Sequence, residues 1–382
     1  CEDRYDYLEK WMKFPDSEWE RRYKEKQSAD FIGQMEGFLA MLEEDLVNIR
    51  SFTFKGFHKT EEEIIHLFYF KFQTVPLLAR MDAVMEYLID EYETLRGKNI
   101  SEEDMEALRE TFQKMYVTTD LYEIYGWLLK DCGYPELSNA EYERRKLEYE
   151  DVFPMLYLKY RLKGKNEHRN IKHLVIDEMQ DYSYLQYVIL HTLFSCRMTI
   201  LGDKAQTLDE TMRDVLLFLP KIFGKKMRTI VLNKSYRNTV EIATYAGAIN
   251  QTTDLELLDR HGKAVEEVYF SEEESMLKAI GENLNVGENG YETAAVIAMT
   301  EEKARELYEL LKRRGIQASY IDRDTSVFER GLTVTTFYLA KGLEFDQVFG
   351  VFEEEENPLM TQAKYICATR ALHELYMYTV SL

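Results

Sequence analysis

HLVIDEMQDYSYLQ, residues 173–186, ends an apolar run in Asp177, Glu178 and Asp181, with Gln180 and Gln186 set among them. Two readings compete for it. The plain one is a strand that stops, a polar turn, and a helix capped by Ser183. The sharper one is a metal and nucleotide site at the carboxyl end of a buried strand, where ligands sit in doubly wound α/β sheets. The rest of the chain decides between them.

At 382 residues the chain has room for two or three domains with substantial cores. An apolar share of 45%, with 13% aromatic, belongs to a folded protein. No apolar run is long enough to cross a bilayer, and the opening CEDRYDYLEKW has no signal-peptide pattern. A cytoplasmic protein without a membrane partner is expected. Cys1, Cys132, Cys196 and Cys367 are scattered without a CxxC pair, which indicates neither a zinc site nor a disulfide framework. The net charge of -21 runs against a protein that grips nucleic acid by neutralising phosphates, unless its basic groups are concentrated locally. The acidic runs Glu61–Glu63 and Glu353–Glu356 read as solvated faces.

The texture changes near residue 168. Before it, Phe31, Met35, Phe38, Leu39, Leu42, Leu46 and Ile49 recur at helix spacing, as core-facing stripes do. SFTF alternates like a short strand. Thr60 with Glu63 predicts a capping box opening a long helix, broken or kinked at Pro76, and Ser101 with Asp104 predicts another helix start. After it come short β-rich runs separated by helical stretches: HLVI, MTIL, RTIVL, AAVIAM, LTVTTF, QVFGVF and LYMYTV. That alternation predicts an α/β fold with parallel sheets. The basic turn LKGKNEHRN, residues 162–170, is the expected boundary.

Polar residues recur after the predicted strands. HLVI is followed by Asp177 and Glu178, MTIL by Gly202, Asp203 and Gln206, RTIVL by Tyr236 and Arg237, and LTVTTF by Lys341, Gly342 and Glu344. One such cluster is ordinary turn chemistry. Four of compatible chemistry point to a site.

These stretches resemble, in order and spacing, the motifs of UvrD-like superfamily 1 helicases: VIDEMQD the Walker B motif, LGDKAQT motif III, LNKSYRN motif IV, TVTTFYLAKGLEFDQV motif V and YICATRALHELYMY motif VI. The resemblance implies an ATP-dependent DNA helicase or translocase built on RecA-like parallel-sheet domains of the P-loop NTPase kind, with ATP and Mg²⁺ as cofactors and DNA as partner. It implies a helical insert over residues 1–168, the C-terminal half of a first RecA-like domain over 169–226, and a second RecA-like domain over 227–382. Phosphoryl transfer needs positioned charge above all. The resemblance gives Asp177 to the metal, Glu178 to the attacking water, and Gln206 to sensing the terminal phosphate. It makes Arg237 and Arg370 arginine fingers, a contribution worth roughly a thousandfold or more in rate. Tyr236 falls to the base, Glu344 to the ribose, and Lys341 with Gly342 to a strand-to-helix turn on the nucleotide side. Arg237 is expected to open a helix.

Two departures matter. The phosphate loop GxxxxGK[ST], whose amides cradle phosphates, does not occur in this sequence. This chain alone is therefore expected not to hydrolyse ATP, and is read as a C-terminal fragment beginning at Cys1 rather than Met. LGDKAQTLDETMRD also lacks the tryptophan with which many relatives stack on a single strand. With the helical first part, that resembles the HelD-like branch, whose members act on bacterial RNA polymerase. An acidic arm entering a basic polymerase channel would make sense of the net charge. A DNA-unwinding repair helicase of UvrD or Rep type, or a non-catalytic scaffold, remain the alternatives.

Overall fold

The computed structural model describes residues 3–15, 17–164, 170–208, 215–224, 227–250, 256–325 and 329–381. The first part of the chain is helical: α1 (Arg4–Lys13), α2 (Glu18–Lys26), α3 (Ala29–Asp45), a hairpin of β1 (Phe52–Phe54) and β2 (Phe57–Lys59), α4 (Glu61–His66), α5 (Leu77–Arg96), α6 (Glu102–Gln113), α7 (Leu121–Asp131) and α8 (Tyr149–Lys163). Local chemistry explains the breaks. Thr60 and Glu63 close the capping box of α4, Ser101 accepts from the Asp104 amide at the start of α6, and a π-helical turn over residues 67–71 runs out before Pro76. The hairpin turns at Lys55 and Gly56, both with positive φ, as a tight two-residue turn requires.

The α3 stripe buries Phe31, Met35, Phe38 and Leu42 in a core shared by α5, α7 and α8. Helices α1 and α2 pack elsewhere. Leu8, Trp11 and Met12 belong to the cluster that lines the sheets described next. Lys26 joins α2 to α8 through a buried ammonium held by Glu150 at 2.8 Å and Asp151 at 2.6 Å.

Two parallel sheets follow, with a third, made of two two-residue strands, between them. The first pairs β3 (His173–Ile176) with β4 (Arg197–Ile200), joined through α9 (Tyr184–Leu193), which Ser183 caps. After α10 (Val215–Phe223) come the two-residue strands β5 (Lys234–Ser235) and β6 (Glu256–Leu257), separated by α11 (Val240–Ile249). The second sheet is six-stranded and parallel throughout. Its strands are β7 (Glu266–Phe270), β8 (Thr293–Ala298), β9 (Ala318–Tyr320), β10 (Gly331–Thr336), β11 (Phe345–Glu353) and β12 (Ala371–Val380), in the order β7-β12-β11-β8-β10-β9. Helices α12 (Glu273–Asn283), α13 (Glu301–Arg313) and α14 (Met360–Arg370) cover it. The molecule is thus α/β with a parallel sheet preceded by helices, as the alternation of apolar runs predicts.

Two expectations for the strands and their connections fail here, and one strand goes unread. RTIVL is not a strand: its backbone is irregular, and Ile230, Val231 and Leu232 are each about four-fifths exposed. Apolar β-branched residues make a strand only where a neighbour takes up their amides. Lys341 and Gly342 lie in a turn that runs from β10 straight into β11, with no helix between. The strand β7 went unread because its sequence, EEVYF, carries two acids and sits at the sheet edge. The boundary turn expected over residues 162–170 lies largely outside the described residues, as does Cys1. Among the described cysteines, Cys132, Cys196 and Cys367 are free thiols. Among the described residues no helix is long and apolar enough to cross a membrane.

Candidate functional site

The site is built from strand ends of opposite polarity. In the first sheet, Asp177 follows the last residue of β3, and Asp203 stands three residues beyond β4. In the second sheet, Glu344 immediately precedes β11 and Arg370 immediately precedes β12. The expectation that every polar cluster lies beyond a carboxyl end therefore holds for Asp177, Asp203 and Tyr236, which follow β3, β4 and β5, but not for Glu344, which stands at the amino end of β11. The reason is the crossover after β10: residues 337–344 return to the level where β11 begins, beside Thr293 at the start of β8. Carboxyl ends of one sheet thus face amino ends of the other.

The acidic turn is tightly specified. Glu178 has φ 51 and ψ 50, a left-handed conformation that non-glycine residues avoid and that clusters at functional positions. The Met179 amide donates to the Leu201 carbonyl at 2.8 Å, and the Asp203 amide donates to Gln180 Oε1 at 3.1 Å. Gly202 lies against this turn so closely that a Cβ there would stand 2.6 Å from the Met179 nitrogen. Gln180 also donates to Glu178. Gln180 therefore fastens the two motifs of the first sheet together and turns the Glu178 carboxylate.

Cations of the second sheet meet this turn. Lys341 Nζ donates to Asp181 Oδ1 at 2.7 Å and to the Gln206 carbonyl at 3.3 Å, and stands 3.8 Å from Glu178 Oε2. Arg370, only 2% exposed, donates to Gln206 Oε1 at 3.1 Å and to the Leu343 carbonyl at 3.2 Å. Gln206 in turn donates to Asp203 at 3.1 Å, and Asp203 also accepts from the Tyr365 hydroxyl at 3.3 Å. Arg237 Nε pairs with Glu344 Oε1 at 2.8 Å, both partly exposed. Burial lowers the Arg370 pKa; the neighbouring Arg237 charge acts in the same sense, while Glu178 and Glu344 oppose it. Burial likewise lowers the Lys341 pKa despite Asp181.

Glu178, Gln206, Lys341, Arg370, Arg237 and Glu344 are thus drawn into one cluster. Asp177 and Tyr236 stand at its margin. The Asp177 carboxylate is exposed and accepts the Glu178 amide at 2.8 Å, and the Tyr236 ring is largely in solvent. Arg237 lies in the bend ahead of Thr239, which caps α11, rather than in the helix itself. Gly342 has φ 80, a conformation glycine supplies without strain. Sequence reasoning missed Asp181 as the acceptor of Lys341, and missed Arg4 of α1, whose Nη1 reaches the other Asp181 oxygen at 2.9 Å. No motif marks Arg4.

The cluster suits an anion flanked by a hard cation. Three cationic side chains converge near two carboxylates, and the exposed Asp177 carboxylate is of the type that would hold a hard divalent cation. Among the described residues no three His, Cys, Asp or Glu side chains converge to hold a metal unaided.

No family profile matches this chain, and no curated protein matches it. Among solved structures it is similar to the C-terminal domain of a possible DNA helicase from Lactobacillus plantarum WCFS1, at 26% identity over 38% of this chain and 88% of that one, with a TM-score of 0.30. It is also similar to the arterivirus nonstructural protein 10 helicase in complex with DNA, at 15% identity over 55% of this chain and 39% of that one, TM-score 0.31. The PRRSV helicase matches at 13% identity over 68% of this chain and 45% of that one, TM-score 0.32. The chain thus spans less than half the length of the two viral proteins. Likeness at these TM-scores is local, and the functional reading rests on the site.

Proposed function

We propose that this chain carries the nucleotide-responsive half of a UvrD-like, ATP-dependent helicase or translocase. The observation that carries the reading is the meeting of Glu178, Gln206 and Asp181 from the first sheet with Lys341 and Arg370 from the second. In this reading ATP lies between the sheets, and Asp177 would hold the Mg²⁺ that offsets the charge of its phosphates. Glu178 accepts a proton from the attacking water. Arg370 and Arg237 exchange Gln206 and Glu344 for phosphate oxygens, so the sheets close on nucleotide and relax after its hydrolysis. Tyr236 offers an exposed ring to the base, and Glu344 meets the ribose. The phosphate cradle is not among these residues, so the chain alone binds nucleotide weakly and does not turn it over.

The test is a titration of this chain with a fluorescent adenine nucleotide and Mg²⁺. Weak, saturable binding is expected, and Arg370→Ala should weaken it about tenfold, equivalent to about 1.4 kcal/mol. Equal binding by both proteins, or none by either, contradicts the reading.

A HelD-like role on RNA polymerase is the finer proposal. The net charge of -21 favours it, since an acidic surface is repelled by DNA and attracted to a basic channel. Retention on core polymerase that fades with salt supports it, and no retention at low salt refutes it.

A further inference from the structure

Asp181 is the meeting point of two cations that come from different parts of the chain. Lys341 belongs to the turn before β11 and reaches Oδ1 at 2.7 Å, while Arg4, at the start of α1, reaches Oδ2 at 2.9 Å. Helix α1 is itself fastened to the second sheet. Arg323, just beyond β9, pairs with Asp6 at 2.6 Å and with Glu301 at 2.6 Å. Glu9 accepts from the Tyr338 hydroxyl at 2.5 Å and from the Glu301 amide at 2.8 Å, and Tyr5 stacks on Tyr338 with ring centres 5.5 Å apart. Both links to the acidic turn therefore arrive from the second-sheet side, one directly and one through α1.

The charge balance gives Arg4 a purpose. Around the turn, Asp181 and Glu178 face Lys341 and Arg4, two acids against two bases. A buried carboxylate that loses its partner is strongly destabilising. If Lys341 alone held Asp181, an incoming anion that drew the ammonium away would strand that charge. With Arg4 in place, Asp181 keeps a partner and Lys341 is free to move.

We propose that Arg4 is a positioning residue: with Lys341 it forms a two-cation latch on Asp181 through which α1 holds the two sheets together and leaves Lys341 available to an anion. The latch rests on the proposed nucleotide reading only for the identity of that anion. The positive charge of Arg4, acting on Lys341 against the pull of Asp181, supports the arrangement.

The experiment measures the separation of the sheets without nucleotide. Spin labels are placed on cysteines introduced at the exposed positions Arg197 and Glu309, with Cys1, Cys132 and Cys196 replaced by serine. The parent protein should show one narrow distance. Arg4→Gln, Lys341→Gln and Asp181→Asn should each broaden or lengthen it by several ångström. The Arg4→Gln/Lys341→Gln double variant should match Asp181→Asn rather than add to it, because all three remove the same contact. Arg4→Lys should restore the narrow distance. An Arg4→Gln distribution identical to the parent overturns the proposal, as does Arg4→Lys behaving like Arg4→Gln. Should Arg4→Gln fail to fold, Arg323→Gln combined with Glu9→Gln removes the polar links of α1 to the second sheet without touching Asp181, and an unchanged distance there overturns the proposal equally. A protein that passes this test but binds no adenine nucleotide keeps the latch and loses the ATP reading.

Discussion

The two sheets carry halves of one site on very different foundations. In the second sheet the central strand β8 is sealed on both faces, with residues 294–298 at most 1% exposed. In the first sheet β3 alternates instead: Leu174 and Ile176 face the core, while His173 and Val175 face outward, Val175 at 60% exposure. A pair of strands alone is marginal in water. Here it is held by what lies behind it, since α9 sends Leu185 and Ile189 into the helical core and Tyr187 into the core beneath the sheets. The acids thus sit on a piece held from outside, and the arginines on a piece that holds itself.

The sharpest way to break this contrast is to cut each sheet. Phe349→Ala, in the centre of β11, should cost about 3–5 kcal/mol, whereas Val175→Ala on the open face should stay within about 0.5 kcal/mol. Urea unfolding followed by circular dichroism compares them, and equal losses would erase the distinction. A smaller effect tests how firmly the acidic turn is fixed. Gly202→Ala forces a methyl group against the Met179 backbone and should cost about 1–3 kcal/mol, as overpacking does. Unchanged stability in the same assay would show that the turn yields.

The subtlest effect concerns pH. Burial raises the Asp181 pKa, but hydrogen bonding and charge from Arg4 and Lys341 outweigh it, and the folded value lies below the usual 3.8. Asp181 therefore contributes stability that is complete above pH 3.8 and is lost as pH falls through its folded pKa. The stability gap between the parent and Asp181→Asn should be constant near neutrality and shrink in acid. A gap that widens below pH 4 contradicts that sign.

Much of this was legible in the sequence. AAVIAM, QVFGVF and LYMYTV read as strands because unbroken apolar runs of that length suit a sheet covered on both faces, and Ser183, Thr60 and Ser101 announced their helices through their side chains. RTIVL misled because its pattern is that of a strand, while pairing depends on a neighbour that composition cannot specify. EEVYF was hidden for the opposite reason: an edge strand tolerates acids that a central one does not. The motif residues were visible by type and order. Their pairing was not, because Lys341 with Asp181 and Arg370 with Gln206 join positions more than a hundred residues apart. Arg4 was invisible altogether, being one arginine in an amphipathic helix until the fold sets it beside Asp181.

On the proposed reading, acids of the first sheet and cations of the second enclose one nucleotide, whose base lies against Tyr236. Photolabelling with 8-azido-ATP, followed by peptide mapping, tests it most directly. Labelling of the peptide that contains Tyr236, suppressed by excess ATP and reduced in Arg370→Ala, is the predicted result. Labelling confined to other peptides, or indifferent to ATP, contradicts it.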